Sequence, residues 1–125
     1  MVWNGETARM VGVLPADALM YKQPRGRGYV ILEETQNHPW PRKTASPASP
    51  QLAAHEFHYS QLENFPGEKK FAYRVRRGAG LDGMNDGIIY KNLLASYAHM
   101  RHVDNNPWTA RFAQFVRNIK QCQNP

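Results

Sequence analysis

Helical periodicity of useful length occurs once in this chain, near its end. Asn106 offers an N-cap and Pro107 suits the first helical position. Trp108, Phe112, Phe115, Val116 and Ile119 fall on one apolar face, while Arg111, Gln114, Arg117 and Lys120 take the outer side. The cations lie toward the C-terminal end, where they suit the helix dipole. The spacing predicts a helix over 106–120 that packs on a sheet, its aromatic stripe being core rather than a cofactor pocket. Everything before it reads as short β runs punctuated by glycine and proline. The chain is thereby confined to a small α/β or α+β domain, a mixed sheet with one strong C-terminal helix.

The β runs differ in what they imply. Met10, Val11, Val13 and Leu14, closed by Pro15, read as a buried strand. Residues 16–21 fit a helical turn or a strand equally well. Pro24, Gly26 and Gly28 mark a flexible turn before a β-branched strand over 29–35. Gly26 and Gly28 make no dinucleotide fingerprint, since a third glycine and a following helix are missing. Residues 36–51 are rich in proline and serine and read as a surface loop. Residues 71–76 alternate as a half-solvated strand, and the glycines over 78–87 mark a hairpin connection.

Two stretches hold candidate chemistry. Over 53–60 a period of two sends His55, Phe57 and Tyr59 to one side and Glu56, His58 and Ser60 to the other. One side is aromatic; the other carries an acid, a base and a hydroxyl, or is an ordinary exposed strand edge. A metal site is not expected, because a strand separates His55 from His58. From Asp86 to His102 a turn signal leads into Ile88, Ile89 and Tyr90. Residues 91–97 continue that strand or bend through a bulge, and His99 stands at its tip. Such an imidazole is either a core histidine bonded to a carbonyl or a general base near neutral pH.

Composition removes some classes of function. Sixteen Lys and Arg against ten Asp and Glu leave a net charge of +6 over 125 residues. The basic residues are scattered in pairs such as Arg42 with Lys43 and Arg76 with Arg77, without an aromatic-interleaved stripe, so nucleic acid is not the expected partner. The single cysteine, Cys122, lies in a polar tail, which favours a reducing compartment and argues against a placed nucleophile. With no signal-peptide pattern and no long apolar run, a cytoplasmic protein without a membrane partner is expected.

The ordered set of motifs is more specific. The segments 10–15, 26–30, 38–40, 55–60 (His-Glu-Phe-His-Tyr-Ser), 86–92 (Asp-Gly-Ile-Ile-Tyr-Lys-Asn) and 95–99 (Ala-Ser-Tyr-Ala-His) resemble, in this order, the cobyrinic acid a,c-diamide synthase family. The resemblance runs from about Trp3 to about Val116. It implies the C-terminal part of a class I glutamine amidotransferase-like domain occupying 1–125. In that family an ATP-binding domain precedes the amidotransferase domain, and ammonia freed from glutamine attacks an ATP-activated tetrapyrrole carboxylate. The resemblance makes His99 the catalytic base, with His58, Glu56, Ser60 and Tyr97 shaping the site.

Two departures stand out. Arg101 occupies the position where many class I glutamine amidotransferases carry glutamate, which fits the cysteine–histidine dyad of the tetrapyrrole branch. The family's nucleophile lies in a glycine-rich elbow upstream of the residue matching Trp3, and the chain is expected to begin just after it. No Walker A pattern is present either, so ATP and Mg2+ belong to the full-length enzyme and no cofactor is expected on this chain. Two functions follow: half of a glutaminase site, inactive alone, or a non-catalytic binding module derived from that domain. The expected partner is the ATP-binding domain or subunit, or a second copy of the chain.

Overall fold

A computed structural model describes residues 1–42 and 51–123. They form a mixed α/β arrangement of two sheets and one C-terminal helix. In the smaller sheet, β1 (Val2–Trp3) pairs antiparallel with β2 (Glu6–Thr7) and parallel with β3 (Asp17–Met20), which pairs antiparallel with β6 (Ser60–Glu63). The larger sheet holds β4 (Gly26–Glu34), β5 (Leu52–His58), β7 (Lys70–Arg77), β8 (Asn85–Tyr90), β9 (Leu93–Ala95) and β10 (Ala98–His99). Its order is β10-β5-β4-β7-β8-β9, with every pairing antiparallel. The mixed character therefore sits in the small sheet.

The core follows from pairing in register. Val30 faces Ala54 and Leu32 faces Leu52 across β4 and β5, and Ala72 and Tyr73 of β7 complete the buried cluster. β9 and β10 lie on opposite edges of the six-stranded sheet, yet only Ser96 and Tyr97 separate them. Three residue steps span at most about 11 Å. The two edges must therefore approach each other, which rolls the sheet toward a barrel around this core.

The run from Asp86 to His102 is thus three strands rather than one. Lys91 takes φ 52° and Asn92 follows, and β9 folds back on β8 with Tyr90 opposite Leu93. A Lys-Asn turn carries none of the usual hairpin chemistry, which is why the residues alone suggest a continuation or a bulge. Residues 17–20 prove to be a strand. The run 10–14 is not one: Gly12 at φ 75° breaks the extension, and Val11 is 92% exposed. Gly26 and Gly28 lie inside β4 rather than in a turn. A Cβ on Gly26 would collide with His58 Nε2, so only glycine fits there.

Of the expected surface loop over 36–51, residues 43–50 lie outside the described residues. Its first part is folded inward, with His38 buried. The Trp40 N–H donates to His38 Nδ1, so the neutral ring carries its proton on Nε2. That proton is placed to bond the Tyr73 hydroxyl at 2.9 Å, and the hydroxyl in turn donates to Met100 Sδ. Burial lowers the His38 pKa to about 4, so its 3.9 Å approach to Glu34 is not an ion pair near neutrality.

The helix α1 (Trp108–Gln123) rests on this segment, with Trp40 meeting Phe112 edge-on and Phe115 at a tilt, each at 5.1 Å between centroids. It runs from two residues later to three residues further than the expected 106–120, and its sides are in part those expected: Trp108, Phe115 and Ile119 are half-buried and Gln114, Arg117 and Lys120 exposed, while Arg111, Phe112 and Val116 depart. Arg111 turns inward to donate to Glu34 Oε1 at 2.7 Å, to the Trp40 carbonyl and to Asn106 Oδ1. Phe112 and Val116 remain 41% and 46% exposed. The charge-assisted bond to Glu34 holds Arg111 on the inner side beside Trp108, Phe115 and Ile119.

Candidate active site

β5 places the first group of candidates. Leu52, Ala54, Glu56 and His58 are buried, while Ala53, His55 and Phe57 are exposed. The alternation is as expected, and of the two readings of the polar side the exposed strand edge fails: the acid and base point inward and the aromatic side is open. Glu56 can be buried because backbone donors receive it. Ala79 N–H bonds Oε1 at 2.7 Å and Gly80 N–H bonds Oε2 at 2.9 Å. Gly78, at φ 127°, lets that turn pass close enough, since a Cβ there would collide with the Val30 side chain.

His58 is 8% exposed, and its Nδ1 donates to the Ser60 carbonyl at 2.9 Å. That fixes the proton of the neutral ring on Nδ1 and turns Nε2 toward Glu56 Oε2 at 3.7 Å, with no hydrogen-bond partner among the described residues. Tyr97 stacks on the imidazole at 3.8 Å between centroids and 7° between planes. The Tyr97 hydroxyl and Ser60 Oγ are 2.7 Å apart, and burial raises the pKa of that phenol. Glu56, His58, Ser60 and Tyr97 are therefore one constellation.

His99 is not part of it. In β10, Ala98 pairs with Glu56 and His99 with His55, so His99 shares the open side with His55. Their ring centroids are 6.3 Å apart, and Tyr29 meets His55 edge-on at 6.0 Å. This aromatic row borders a groove of about 380 Å³ that Arg101, Val103 and Asn105 also line. The base that resemblance implies is thus exposed on one side of the sheet while the shaping residues sit on the other. Tyr97 connects them, two residues before His99 in the chain.

Asp86, which the sequence marks only as part of a turn, proves to be fully buried. Its carboxylate accepts from Ser96 Oγ at 2.7 Å, Tyr97 N at 3.2 Å and Ala98 N at 3.0 Å. Nothing in the local sequence signals this, because the donors arrive only after the chain has turned through β9. Cys122 is exposed at the far end of α1. Among the described residues no cluster of three or more His, Cys, Asp or Glu is placed to hold a metal ion. A larger groove of about 660 Å³ lies beside α1, but it contains none of these residues, and its Arg111 is engaged by Glu34.

Residues 3–108 match the model of the CobB/CobQ-like glutamine amidotransferase domain. The chain belongs to this family. It is 40% identical to the cobyrinate a,c-diamide synthase of Magnetococcus marinus across its whole length, which is 26% of that protein. The synthase of Methanocaldococcus jannaschii is 39% identical over 81% of this chain, and that of Archaeoglobus fulgidus 33% identical over 84%. Those matches cover 21% and 22% of the two relatives. The chain therefore corresponds to about a quarter of the length of these proteins. A solved structure from Thermoplasma acidophilum, assigned as one subunit of a GMP synthase, shares the fold at a TM-score of 0.58 and 15% identity, covering 88% of this chain and 53% of that one. No helix among the described residues is long and apolar enough to cross a membrane.

Proposed function

We propose that this chain is the histidine-bearing part of the glutaminase domain of an ATP-dependent synthase that amidates tetrapyrrole carboxylates, of the cobyrinate a,c-diamide kind. The observation that carries the reading is the placement of His99. It is exposed on the rim of the groove, beside Arg101 and His55, on a segment tied down by Asp86. In this reading His99 takes the proton of a thiol and returns it to the departing ammonia. The thiol belongs to a portion of the protein beyond this chain, because Cys122 is the sole cysteine. Glu56, His58, Ser60 and Tyr97 shape the site from behind rather than touch glutamine.

ATP and Mg2+ would be held by the partner domain or subunit. The residues present do not fit them: the turn best placed to cradle a phosphate, at Ala79 and Gly80, spends its N–H groups on Glu56. Alone, the chain should release no glutamate from glutamine. In a chimera where it replaces the matching quarter of the Magnetococcus marinus synthase, glutamate release should return and fall by about a thousandfold with His99→Ala. Unchanged release in that variant would overturn the role of His99.

A second reading rests on the exposed apolar surface at Met10, Val11 and Val13, which are 58%, 92% and 52% exposed. Three large apolar side chains exposed within four residues favour association. In that reading the chain is a non-catalytic module that docks on a partner or on its own copy. Sedimentation of the chain alone would show self-association, and a monomer would remove that form of it.

A further inference from the structure

We propose that Asp86 is the positioning residue for His99. This rests on the glutaminase reading only for its catalytic consequence; the placement itself does not depend on it.

The sheet is open along the seam between β9 and β10, and Ser96 and Tyr97 cross that seam. A two-residue crossing has no ladder of its own to hold it. Asp86 supplies the missing acceptors. Its carboxylate receives the Ser96 hydroxyl and the N–H groups of Tyr97 and Ala98, so it binds the three residues that lead directly into His99. An aspartate with no exposed surface is strongly disfavoured by desolvation unless its lone pairs are filled, and here they are filled from this segment.

The backbone delivers Asp86 to the spot. Asp86 pairs with Tyr73 across β7 and β8, and Gly87 takes φ 71° beside it. A Cβ on Gly87 would come within 2.8 Å of the Tyr73 ring, so the close approach of β8 to β7 depends on glycine. From the other side Tyr97 is held by its stack on His58 and by its hydroxyl contact with Ser60. His99 then enters β10 with its ring set against His55. An acid reaching the histidine through the backbone thus takes the orienting role that Arg101, a cation two residues after His99, cannot fill.

The carboxylate is required rather than a polar side chain in general. Asparagine would present an NH2 group to N–H donors and leave at least one unpaired. The test uses the intact chain with Asp86→Asn and, as a milder variant, Ser96→Ala, which keeps the carboxylate but removes one of its donors and with it the Ser96 Oγ that also accepts from the Ala98 N–H at 3.0 Å, so that in this variant the Tyr97 amide is the deciding readout. Amide exchange at Tyr97 and Ala98 should rise about tenfold or more in Asp86→Asn, the least that a bond to a charged group is worth. The rise at Tyr97 should be smaller in Ser96→Ala. The through-space NMR cross-peak between the His55 and His99 rings should be lost in Asp86→Asn, while signals from Val30 and Leu32 stay in place. A folded Asp86→Asn that keeps the cross-peak overturns the proposal, as does faster exchange spread evenly over the chain. If Asp86→Asn does not fold, an unchanged cross-peak and unchanged Tyr97 exchange in Ser96→Ala overturn it. In the chimera Asp86→Asn should lower kcat and leave KM for glutamine unchanged. A loss of ring placement without any effect of His99→Ala on glutamate release would sink the glutaminase reading and leave this one standing.

Discussion

The five histidines divide between two environments, and the contrast shows how this small chain separates side chains built into its frame from side chains left at its surface. His38 and His58 are buried, each with one ring nitrogen committed to the backbone: His38 Nδ1 accepts from Trp40, and His58 Nδ1 donates to Ser60. His55, His99 and His102 are exposed. On β5 the two kinds are three residues apart, and strand alternation alone sends them to opposite sides. A buried imidazole with fixed partners is part of the frame. An exposed one on a groove rim remains available to a ligand.

The contrast is broken most severely by removing what makes the inner side habitable. Glu56→Ala strands the Ala79 and Gly80 N–H groups and opens a void, so it should cost about 3 kcal/mol in urea unfolding. A loss below about 1 kcal/mol would mean that water reaches those groups and that the inner side is not sealed.

An effect of similar size should appear on acidification. His38 has a folded pKa of about 4, lowered from 6.5 by burial. The unfolded chain therefore binds the extra proton first. Stability is fully present above about pH 6.5 and is lost as pH falls toward 4, by up to roughly 3 kcal/mol. Thermal melts from pH 7 to pH 4 would follow it, and His38→Gln should flatten that slope. A slope that survives the substitution would assign it elsewhere.

The outer side should respond least. His99→Ala changes an exposed side chain and should alter stability by less than about 0.5 kcal/mol. A larger loss in the same urea titration would place His99 among the structural histidines and erase the division.

Much of the strand content was legible from the residues. The alternation over 53–58, the strands over 29–35 and 71–76, and the existence of α1 all follow from local periodicity, because side-chain period is a property of a few adjacent residues; the break at Tyr59, which hands Ser60 to the smaller sheet, does not. Family membership was legible from ordered motifs, though not from any one of them. What could not be read was which side of β5 faces inward. An acid and a base look like a solvent face until Gly26 makes room for His58 and the 78–80 turn offers its N–H groups to Glu56. The inward turn of Arg111 and the burial of His38 were hidden for the same reason, since their partners lie as far as 77 residues away in the chain.

The residues by themselves determined a chain of short strands ending in one helix, with a histidine near a strand end. The tertiary structure decided what that histidine is attached to. By rolling the sheet until its edges nearly meet, it brings Asp86 under a crossing that follows ten residues later, and a buried charge is tolerated only where several donors converge. Convergence of that kind is a property of the closed sheet, and no local pattern encodes it.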